Sequence, residues 1–380
     1  MCRQVTAPEV ELSLSEHAAI QKEMREVVKG HVMKDINAKR NEWLFTPPGI
    51  IDRPLKALIK DQRDAPILYL FFNIATLTFP AAFALFMLPA SHLLGVMFLV
   101  ANQVYFLPRF ILAMHYATHR TLFDKSKGGW MLNHLPHHVT CMFFGIPPGM
   151  YKLHHTIMHH MENNASYDIS STEPYQRDSV LHFIHYLFKY MVGAWIELPY
   201  YAFKRGRYSH GLQVMTSAVF YFAMLNFLYT HKPVQTTWIF IVPFFVTSLA
   251  LMLGNWAQHA FVDPNRPESN YLLTYNCINV IDNTFCFNDG YHIIHHANSK
   301  THWTDMPQRF LDTIDKHAEE DAICLKGMAG HEVALRLFAG KYESLADSWL
   351  DLSSPAHTRE EKVQIIKDRL KPIVRKTKSS

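Results

Sequence analysis

Long apolar runs alternate with polar, charged segments along the 380 residues of this chain. A helix that crosses a bilayer needs ~20 mostly apolar residues, and four windows are long enough: roughly residues 66–90, 92–114, 212–230 and 236–255. The windows form two pairs, because only short turns near residues 89–92 and 231–235 separate the members of each pair. The pattern predicts an all-α integral membrane protein with two transmembrane helical hairpins, that is, four spans.

The polar flanks divide the chain into three regions. We expect residues 1–65 to form an N-terminal segment, residues 66–305 a membrane domain, and residues 306–380 a C-terminal helical segment. Positive charge is concentrated outside the hairpins, whose turns hold only Lys232; the positive residues are Arg53, Lys56, Lys60, Arg63, Arg120, Lys125, Lys127, Lys204, Arg205 and Arg207. Because cytosolic loops are enriched in Lys and Arg, both termini and residues 115–211 are expected in the cytosol, forming a helical cap.

A fifth apolar segment, residues 179–204, differs from the four windows. Polar residues interrupt it at His182, His185, Lys189 and Glu197. Such a pattern favours a helix that lies in the membrane interface rather than one that crosses it. A fifth span is the alternative.

The composition points to a metal and away from other classes of protein. The chain has 24 histidines, and imidazole suits zinc, copper, iron and nickel. The five cysteines are scattered without a Cys-x2-Cys pair, so neither disulfides nor a thiolate zinc site is expected. The net charge of +4 is mild and no basic block is present, which argues against a nucleic-acid partner.

Most of the clustered histidines follow helical spacing. HYATH holds His115 and His119, HHTIMHH holds His154, His155, His159 and His160, HIIHH holds His292, His295 and His296, and NWAQH holds Asn255 and His259. Residues four apart lie on one helix face, one turn apart, so each cluster can present several ligands together. The clusters lie at the cytosolic ends of spans, whereas a transporter would need its ligands within the membrane. The pattern therefore predicts a cytosolic metal site.

This arrangement resembles the membrane fatty-acid desaturases, which carry three histidine boxes. The boxes here are His115-x3-His119, His155-x3-His159-His160 and His292-x2-His295-His296. The acyl-CoA branch of that family adds an Asn-x3-His pair, matched by Asn255 and His259, and an acidic-Gly-aromatic lead, matched by Asp289-Gly290-Tyr291. The second box departs from that branch, because three residues rather than two separate its first histidines.

The resemblance implies a centre of two ferrous ions with O2 as co-substrate. Its implied ligands are His115, His119, His155, His159, His160, His259, His292, His295 and His296, with Asn255 binding through a water. Neutral imidazoles do not offset the metal charge, so nearby carboxylates become important. Asp289 is the preferred candidate and, with Asn255, is assigned to catalysis; Glu162, Asp168, Asp263 and Asp282 are further candidates.

Other histidines are expected around the centre rather than in it. HLPHH, with His134, His137 and His138, fits a box on its own, but it follows His119 closely, and Pro136 is expected to break the helix that would align it. The preferred role for these three residues is to support the metal ligands through contacts without binding the metal. For His154 and His302, the preferred role is either this support or a gate for the substrate.

The implied reaction is the oxygen-dependent insertion of a double bond into a fatty acyl chain. A fatty-acid hydroxylase or a decarboxylase that forms 1-alkenes is the alternative on the same scaffold, and a membrane metal-binding protein or transporter is the alternative outside enzymes. The acyl group could be linked to a lipid or to coenzyme A, or be a free acid. The chain has no His-Pro-Gly-Gly haem motif, so an external donor such as cytochrome b5 or ferredoxin is expected to supply electrons.

Three further features bear on the substrate and the compartment. The aromatic-rich segments 141–151 and 183–201 are candidates to line an acyl tunnel. Arg109 could pair with a substrate carboxylate or a headgroup phosphate, or it could extend to the membrane interface as long cationic side chains do. Lys376 and Lys378 match the dilysine pattern of endoplasmic-reticulum membrane proteins, if the source is eukaryotic.

Overall fold

The computed structural model describes residues 14–375, which are mostly helical. In that range the α-helices are α1 (Leu14–Asn37), α2 (Gly49–Leu58), α3 (Ala65–Met87), α4 (His92–Ala101), α5 (Leu107–His119), α6 (Trp130–His138), α7 (Met150–His154), α8 (His160–Glu162), α9 (Val180–Lys204), α10 (Tyr208–His231), α11 (Pro233–Thr236), α12 (Val242–Gln258), α13 (His292–Ala297), α14 (Met306–Asp312), α15 (Ile314–Glu319), α16 (Gly330–Phe338), α17 (Tyr342–Ser348) and α18 (Arg359–Arg369).

Shorter helical turns and one small sheet join these helices. The π-helical turns are Asn102–Phe106, His155–His159 and Thr237–Ile241, and the 3-10 turns are Gln62–Asp64, Lys125–Lys127, Thr140–Phe144, Ile281–Thr284 and Trp303–Asp305. Strands β1 (Asn276–Ile278) and β2 (Cys324–Lys326) pair in parallel, with Asn276 opposite Cys324.

The four predicted spans are confirmed as helices of sufficient length and apolarity to cross a membrane. Within the described residues these are Gln62–Met87, His92–His119, Tyr208–His231 and Pro233–Gln258. The second and fourth run through a π-helical turn without interruption, because the turn keeps the backbone hydrogen-bonded along the helix axis. The members of each pair are joined by the short connections expected, residues 88–91 and Lys232.

The two hairpins approach each other closely at a glycine. A side chain added at Gly95 in α4 would lie 2.3 Å from the ring of Trp238 in the fourth span. Only glycine leaves room for the indole at this position. This contact draws the hairpins together at the end farthest from the histidine clusters.

The predicted fifth apolar segment is a single helix, α9, which packs against α10 and α12. It is not among the four helices of the described chain that are long and apolar enough to span a membrane. One of its faces is apolar and exposed, with residues three or four apart: Leu181, Ile184, Phe188, Val192, Ile196 and Tyr200. This periodicity gives an amphipathic helix with an uncovered apolar stripe.

The C-terminal segment was predicted to be helical, but it also contributes a strand. β2 pairs with β1 from the segment before the third box, and Leu325 forms a further bridge to Trp349. The helix α16 packs against α12, while α1 from the N-terminal segment packs against α14. The two flanking segments therefore hold the loop that leads into α13, and so position the third histidine box.

Candidate metal centre

Five histidines from three separate helical segments meet at one point. Their ring nitrogens all lie within 4.8 Å of one another; we call this set the first cluster: His115, His119, His155, His160 and His295. The Nε2 atoms of His115 and His295 are 2.9 Å apart. His155 Nε2 lies 2.9 Å from the Nε2 atoms of both His119 and His160. Ligands far apart in the sequence thus face one common point.

A second cluster lies beside the first. It contains His159, His259 and His296, which are all buried and have ring nitrogens within 4.8 Å of one another. The ring of His292 lies 4.8 Å from that of His296 and 5.6 Å from that of His259, between ring centres. Both ring nitrogens of His292 are buried without a hydrogen-bond partner among the described residues. His292 therefore stands ready as a fourth ligand at the second cluster.

The spacing of the nitrogens fits metal ligation. Histidine nitrogens bind a first-row metal ion such as zinc at about 2.0–2.1 Å, so two ligands at right angles on one ion would be about 3 Å apart. The Nε2 contacts of the first cluster measure 2.9–3.2 Å. In the second cluster, Nε2 of His259 and Nε2 of His296 are buried and have no partner in the described chain. The donor set therefore fits two metal ions.

The second box divides between the two clusters, contrary to the one-face arrangement predicted for His155 and His159. These residues occupy a π-helical turn, His155–His159. In such a turn the backbone bonds join residues five apart rather than four, which brings His160 into register with His155 and turns His159 away. His155 and His160 join the first cluster, and His159 joins the second.

The third box also serves both clusters, from an ordinary α-helix. His295 and His296 are neighbours in α13, so their side chains point about 100° apart. His295 faces the first cluster and His296 the second. The helix α13 consequently stands between the two clusters, with His292 on the side of the second.

Burial keeps these imidazoles in the form that binds metals. It lowers the pKa of His155, His259, His295 and His296 well below the usual value, and neighbouring histidines add to the effect. A low-dielectric environment disfavours the charged imidazolium. Metal binding needs the neutral ring, so these histidines have at neutral pH the form that could bind a metal ion.

Asp168 is the carboxylate that orients a cluster residue most directly. His159 Nδ1 donates to it at 2.6 Å, and Ser170 Oγ donates to it at 2.8 Å. His154 Nε2 lies 3.5 Å from Oδ1 of Asp168, the oxygen that accepts from Ser170, whereas His159 contacts Oδ2. Burial alone would raise the pKa of Asp168, but the adjacent His159 and His154 hold it well below its usual range. This pairing fixes the tautomer of His159 so that Nε2 faces the second cluster.

The two residues assigned to catalysis lie beside the second cluster. Asp289 has one oxygen 3.7 Å from His292 Nδ1, and its other oxygen accepts from Gln258 at 2.6 Å. Asn255 uses its amide nitrogen to donate to the Ser170 carbonyl at 2.9 Å and to the Tyr186 hydroxyl at 2.7 Å. With the nitrogen engaged there, its carbonyl oxygen remains for a water.

The remaining candidate acids lie farther from the ligands. Glu162 accepts from Tyr201 and Arg205, both at 2.5 Å. Asp282 lies 3.4 Å from the imidazole of His331. Asp263 caps the turn at residue 265, and its other oxygen lies 3.6 Å from an arginine of α18. None of the three is hydrogen-bonded to a cluster histidine in the described part of the chain.

The three HLPHH histidines lie outside both clusters. The expectation that Pro136 would break their helix was wrong. The helix α6 continues through Pro136 to His138 and is not broken there. The ring of His137 is buried, and neither nitrogen has a side-chain partner within residues 14–375. His138 Nδ1 contacts the carbonyl of His134 at 3.1 Å. These three residues pack beside the centre without a hydrogen bond to a cluster histidine of the described chain.

The structure places His302 and Arg109 in packing roles instead of at the substrate. His302 Nε2 lies 2.9 Å from a carboxylate oxygen of Asp64, which ties the segment after the third box to the start of the first span. Arg109 donates from Nε to the Asn41 carbonyl at 3.0 Å and from a terminal nitrogen to the Tyr105 carbonyl at 2.7 Å. Arg109 is buried, so it neither reaches the membrane interface nor presents a free guanidinium.

Two positioning residues escaped the sequence reasoning. The Tyr151 hydroxyl lies 3.2 Å from His115 Nδ1. Asp35 in α1 accepts from the Tyr291 hydroxyl at 2.6 Å and from the Asn279 backbone at 2.7 Å, which holds the residue just before the third box. Tyr151 lies four residues before a ligand, and that helical spacing was the available signal. For Asp35, more than 250 residues from Tyr291, the sequence offers none.

Both clusters form part of the wall of one cavity of about 400 Å³. Apolar side chains of α5 and α12 make up much of the remaining wall, and a smaller pocket shares Tyr151, Tyr190 and Leu251 with it. The lining of these two cavities includes residues 145–147, 150–151, 190–191 and 194–195. The predicted tunnel segments thus contribute to the walls of two neighbouring cavities, and clustered histidines line the larger one.

The family comparison agrees with this geometry. A family model described as fatty acid desaturase matches residues 90–318, more than half of the chain. No curated protein and no solved structure matches the chain. The eight histidines of the two clusters, His292 and Asn255 all lie within the matched range. The chain therefore belongs to the fatty acid desaturase family.

Proposed function

We propose that the protein is an oxygen-dependent acyl-chain desaturase that holds two iron ions on its two histidine clusters. One observation carries this proposal: two largely buried clusters, with nitrogen spacings suited to ligation, form part of the wall of a single, largely apolar cavity. A saturated hydrocarbon chain has no polar group that a protein could bind, so such a substrate requires an apolar cavity.

The first ion would be held by His115, His119, His155, His160 and His295. The second would be held by His159, His259, His292 and His296, with Asn255 placing a water. When bound, the two irons supply the oxygen chemistry that removes hydrogen from an unactivated C–H bond. The protein supplies the position of the chain and keeps water out.

The described side chains have separate tasks in this scheme. Asp168 holds the His159 ring in one tautomer, and the Leu273 carbonyl does the same for His259 by accepting from Nδ1 at 3.0 Å. Asp289 and Asp168 bring negative charge close to an otherwise neutral ligand set. Tyr151 and Tyr190 line the cavity and limit where the chain can lie.

The membrane arrangement supports the same proposal. Only 17–39% of each candidate span is buried within the protein, so most of its apolar surface needs another apolar phase. The exposed apolar stripe of α9, followed by Lys204, Arg205 and Arg207, suits a helix in the interface. Both termini and the histidine clusters would lie on the cytosolic side. Lys376 and Lys378, which motivate the endoplasmic-reticulum assignment, lie outside the described residues.

Metal content and product analysis test the proposal together. Purified protein should hold close to two irons per chain, and with an electron donor such as cytochrome b5 it should consume O2 and form an alkene within an acyl chain. His295→Ala should abolish product and lower the iron content. The matched control is His231→Ala, because His231 ends α10 beside the hairpin turn, at the end of the span far from the clusters.

Product structure separates the proposed reaction from its alternatives. An alcohol would replace desaturation by hydroxylation, and a 1-alkene with loss of CO2 would replace it by decarboxylation. Tightly bound iron without O2 consumption would favour a metal-binding protein or a transporter. Full activity in His295→Ala would refute the metal assignment itself.

A further inference from the structure

Arg177 is a buried arginine that lies outside both histidine clusters. All three of its guanidinium nitrogens donate to main-chain carbonyls, at distances of 2.7–3.3 Å; the six acceptors are Thr172, Glu173, Tyr175, Ala260, Arg369 and Lys371. Burial lowers the pKa of Arg177 to about 9, so the guanidinium stays charged at neutral pH. A buried charge costs free energy unless polar groups compensate for it. Moving these carbonyls away from Arg177 is therefore unfavourable.

The six carbonyls belong to three segments that are distant in the sequence. The first is the loop before α9, at residues 172–175, and the second is Ala260, just after the end of α12. The third is the end of α18, at residues 369–371, where the Leu370 carbonyl also accepts from the Arg177 backbone N–H at 3.0 Å. Arg177 thus joins the end of α12 and the loop before α9 to the end of α18.

Two of these segments carry the groups that position the second cluster. His259 directly precedes Ala260, and the His259 carbonyl accepts from the Thr172 hydroxyl at 2.7 Å. The loop that contains Thr172 also holds Asp168 and Ser170, which are hydrogen-bonded to other residues assigned to the second ion. Arg177 is therefore bonded to both sides of the second cluster.

A further contact joins the end of the described chain to the same loop. The buried Glu173 accepts from Arg375 through both carboxylate oxygens, at 2.6 and 3.0 Å, and its carbonyl accepts from the Ile373 N–H at 2.7 Å. Within residues 14–375, no histidine of the first cluster is hydrogen-bonded to residues 168–177 or to residues 369–375. The support from the end of α18 thus reaches only the second cluster.

We propose that Arg177 is a positioning residue for the second metal ion. By fixing the end of α12 and the loop before α9 against the end of α18, it keeps His259 and His159 directed at one point. This inference rests on the proposed function for the metal ion itself. A lysine would keep the charge, but its three donors share one nitrogen, whereas arginine has five donors in a planar fork. Lysine therefore could not bond to all three segments at once.

Titration of metal-free protein with Fe(II) tests the inference. Arg177→Lys should weaken the second ion about tenfold, the lower end of the usual cost of losing an outer contact, and leave the first unchanged. The same change in His155→Ala and His159→Ala, which should retain only the second and only the first ion, assigns each affinity. The matched control is Arg369→Lys, because this buried arginine donates to Asp321 instead. Both lysine variants should lower the melting temperature, but only Arg177→Lys should change an ion's affinity.

Hydrogen exchange in the metal-free protein gives a second measurement, which does not depend on iron. The backbone amides of His259 and Ala260 should exchange faster in Arg177→Lys than in the unmodified protein. Arg375→Gln, which breaks the pair with Glu173, should act in the same direction but more weakly, and it remains informative if Arg177→Lys fails to fold.

Two outcomes of the titration would overturn the inference. Unchanged affinity for both ions in Arg177→Lys would show that Arg177 does not position the second cluster. Equal weakening of both ions would show that it only stabilises the fold. If the unmodified protein bound no iron, the proposed function would fail instead, and the exchange rates of His259 and Ala260 would decide by themselves whether Arg177 positions these residues.

Discussion

The two histidine clusters differ in what surrounds them. Every member of the second cluster is buried, and two of its histidines are held through Nδ1 by Asp168 and by the Leu273 carbonyl. The first cluster is richer in histidine, but His119 and His160 are only partly buried. Within residues 14–375 no carboxylate is hydrogen-bonded to any of its members.

From this contrast we expect the two proposed ions to be bound with different affinities. A ligand whose second nitrogen is fixed loses less freedom on binding and is a stronger base, so the second cluster should hold its ion more firmly. The first cluster relies on the number of imidazoles and on their mutual packing. Its ion should be the more accessible and the more easily exchanged of the two.

The largest effect should come from the second box, where two histidines serve different clusters. His155→Ala should remove the first ion and His159→Ala the second, and each variant should lose all product. Iron content per chain, measured beside product yield, should fall to about one in both. If a single substitution removed both ions, the clusters would form one inseparable unit and the contrast would fail.

Removing the Asp168 carboxylate should have the next largest effect and should lower the metal affinity of the second cluster only. Loss of an outer-shell partner typically costs ~10–100-fold in metal affinity or activity. Asp168→Asn should therefore weaken the second ion by about that factor and leave the first in place. Titration of metal-free protein with Fe(II) measures both affinities. Glu162→Gln is the matched control, because Glu162 contacts Tyr201 and Arg205 instead.

Acid should lower the free energy of unfolding of the metal-free protein, because both clusters contain buried histidines that resist protonation. The folded-state pKa values of His155, His259 and His296 lie well below 6.5, so the unfolded chain binds more protons at acidic pH. The free energy of unfolding should be nearly constant above about pH 7 and fall as the pH drops below about 6.5. Denaturant unfolding across this range measures it. A stability that stays level down to pH 5 would show that the imidazoles are not held neutral.

HLPHH should produce the smallest effect on metal binding. Burial lowers the pKa of His137 to about 3, so the ring is neutral, and it has no hydrogen bond to a cluster histidine of the described chain. His137→Phe should keep both ions and instead lower the free energy of unfolding by about 1–3 kcal/mol, the usual cost of forcing a larger side chain into a packed interior. Loss of an iron ion in this variant would bring HLPHH into the ligand set.

The sequence predicts the membrane spans better than it predicts the carboxylates that orient the clustered histidines. The spans were predictable because apolar length is a local property that needs no knowledge of packing. Asp168 was only one of several candidate acids, and Asp289 was preferred because it precedes a ligand. Asp168 makes the stronger contact with a cluster histidine, because the chain between His159 and Ser170 folds back on itself.

By itself, the sequence determined the four apolar helices and their pairing, because these features depend on composition and on spacing along one helix. The set of histidines expected to meet came from the resemblance to the membrane desaturases. Only the tertiary structure decided which cluster each histidine joins, because that depends on a π-helical turn at residues 155–159 and on where α13 lies between distant segments. It also placed Asp35 against Tyr291 and Asp168 against His159. Contacts between residues far apart in the chain arise from packing, which a local pattern does not encode.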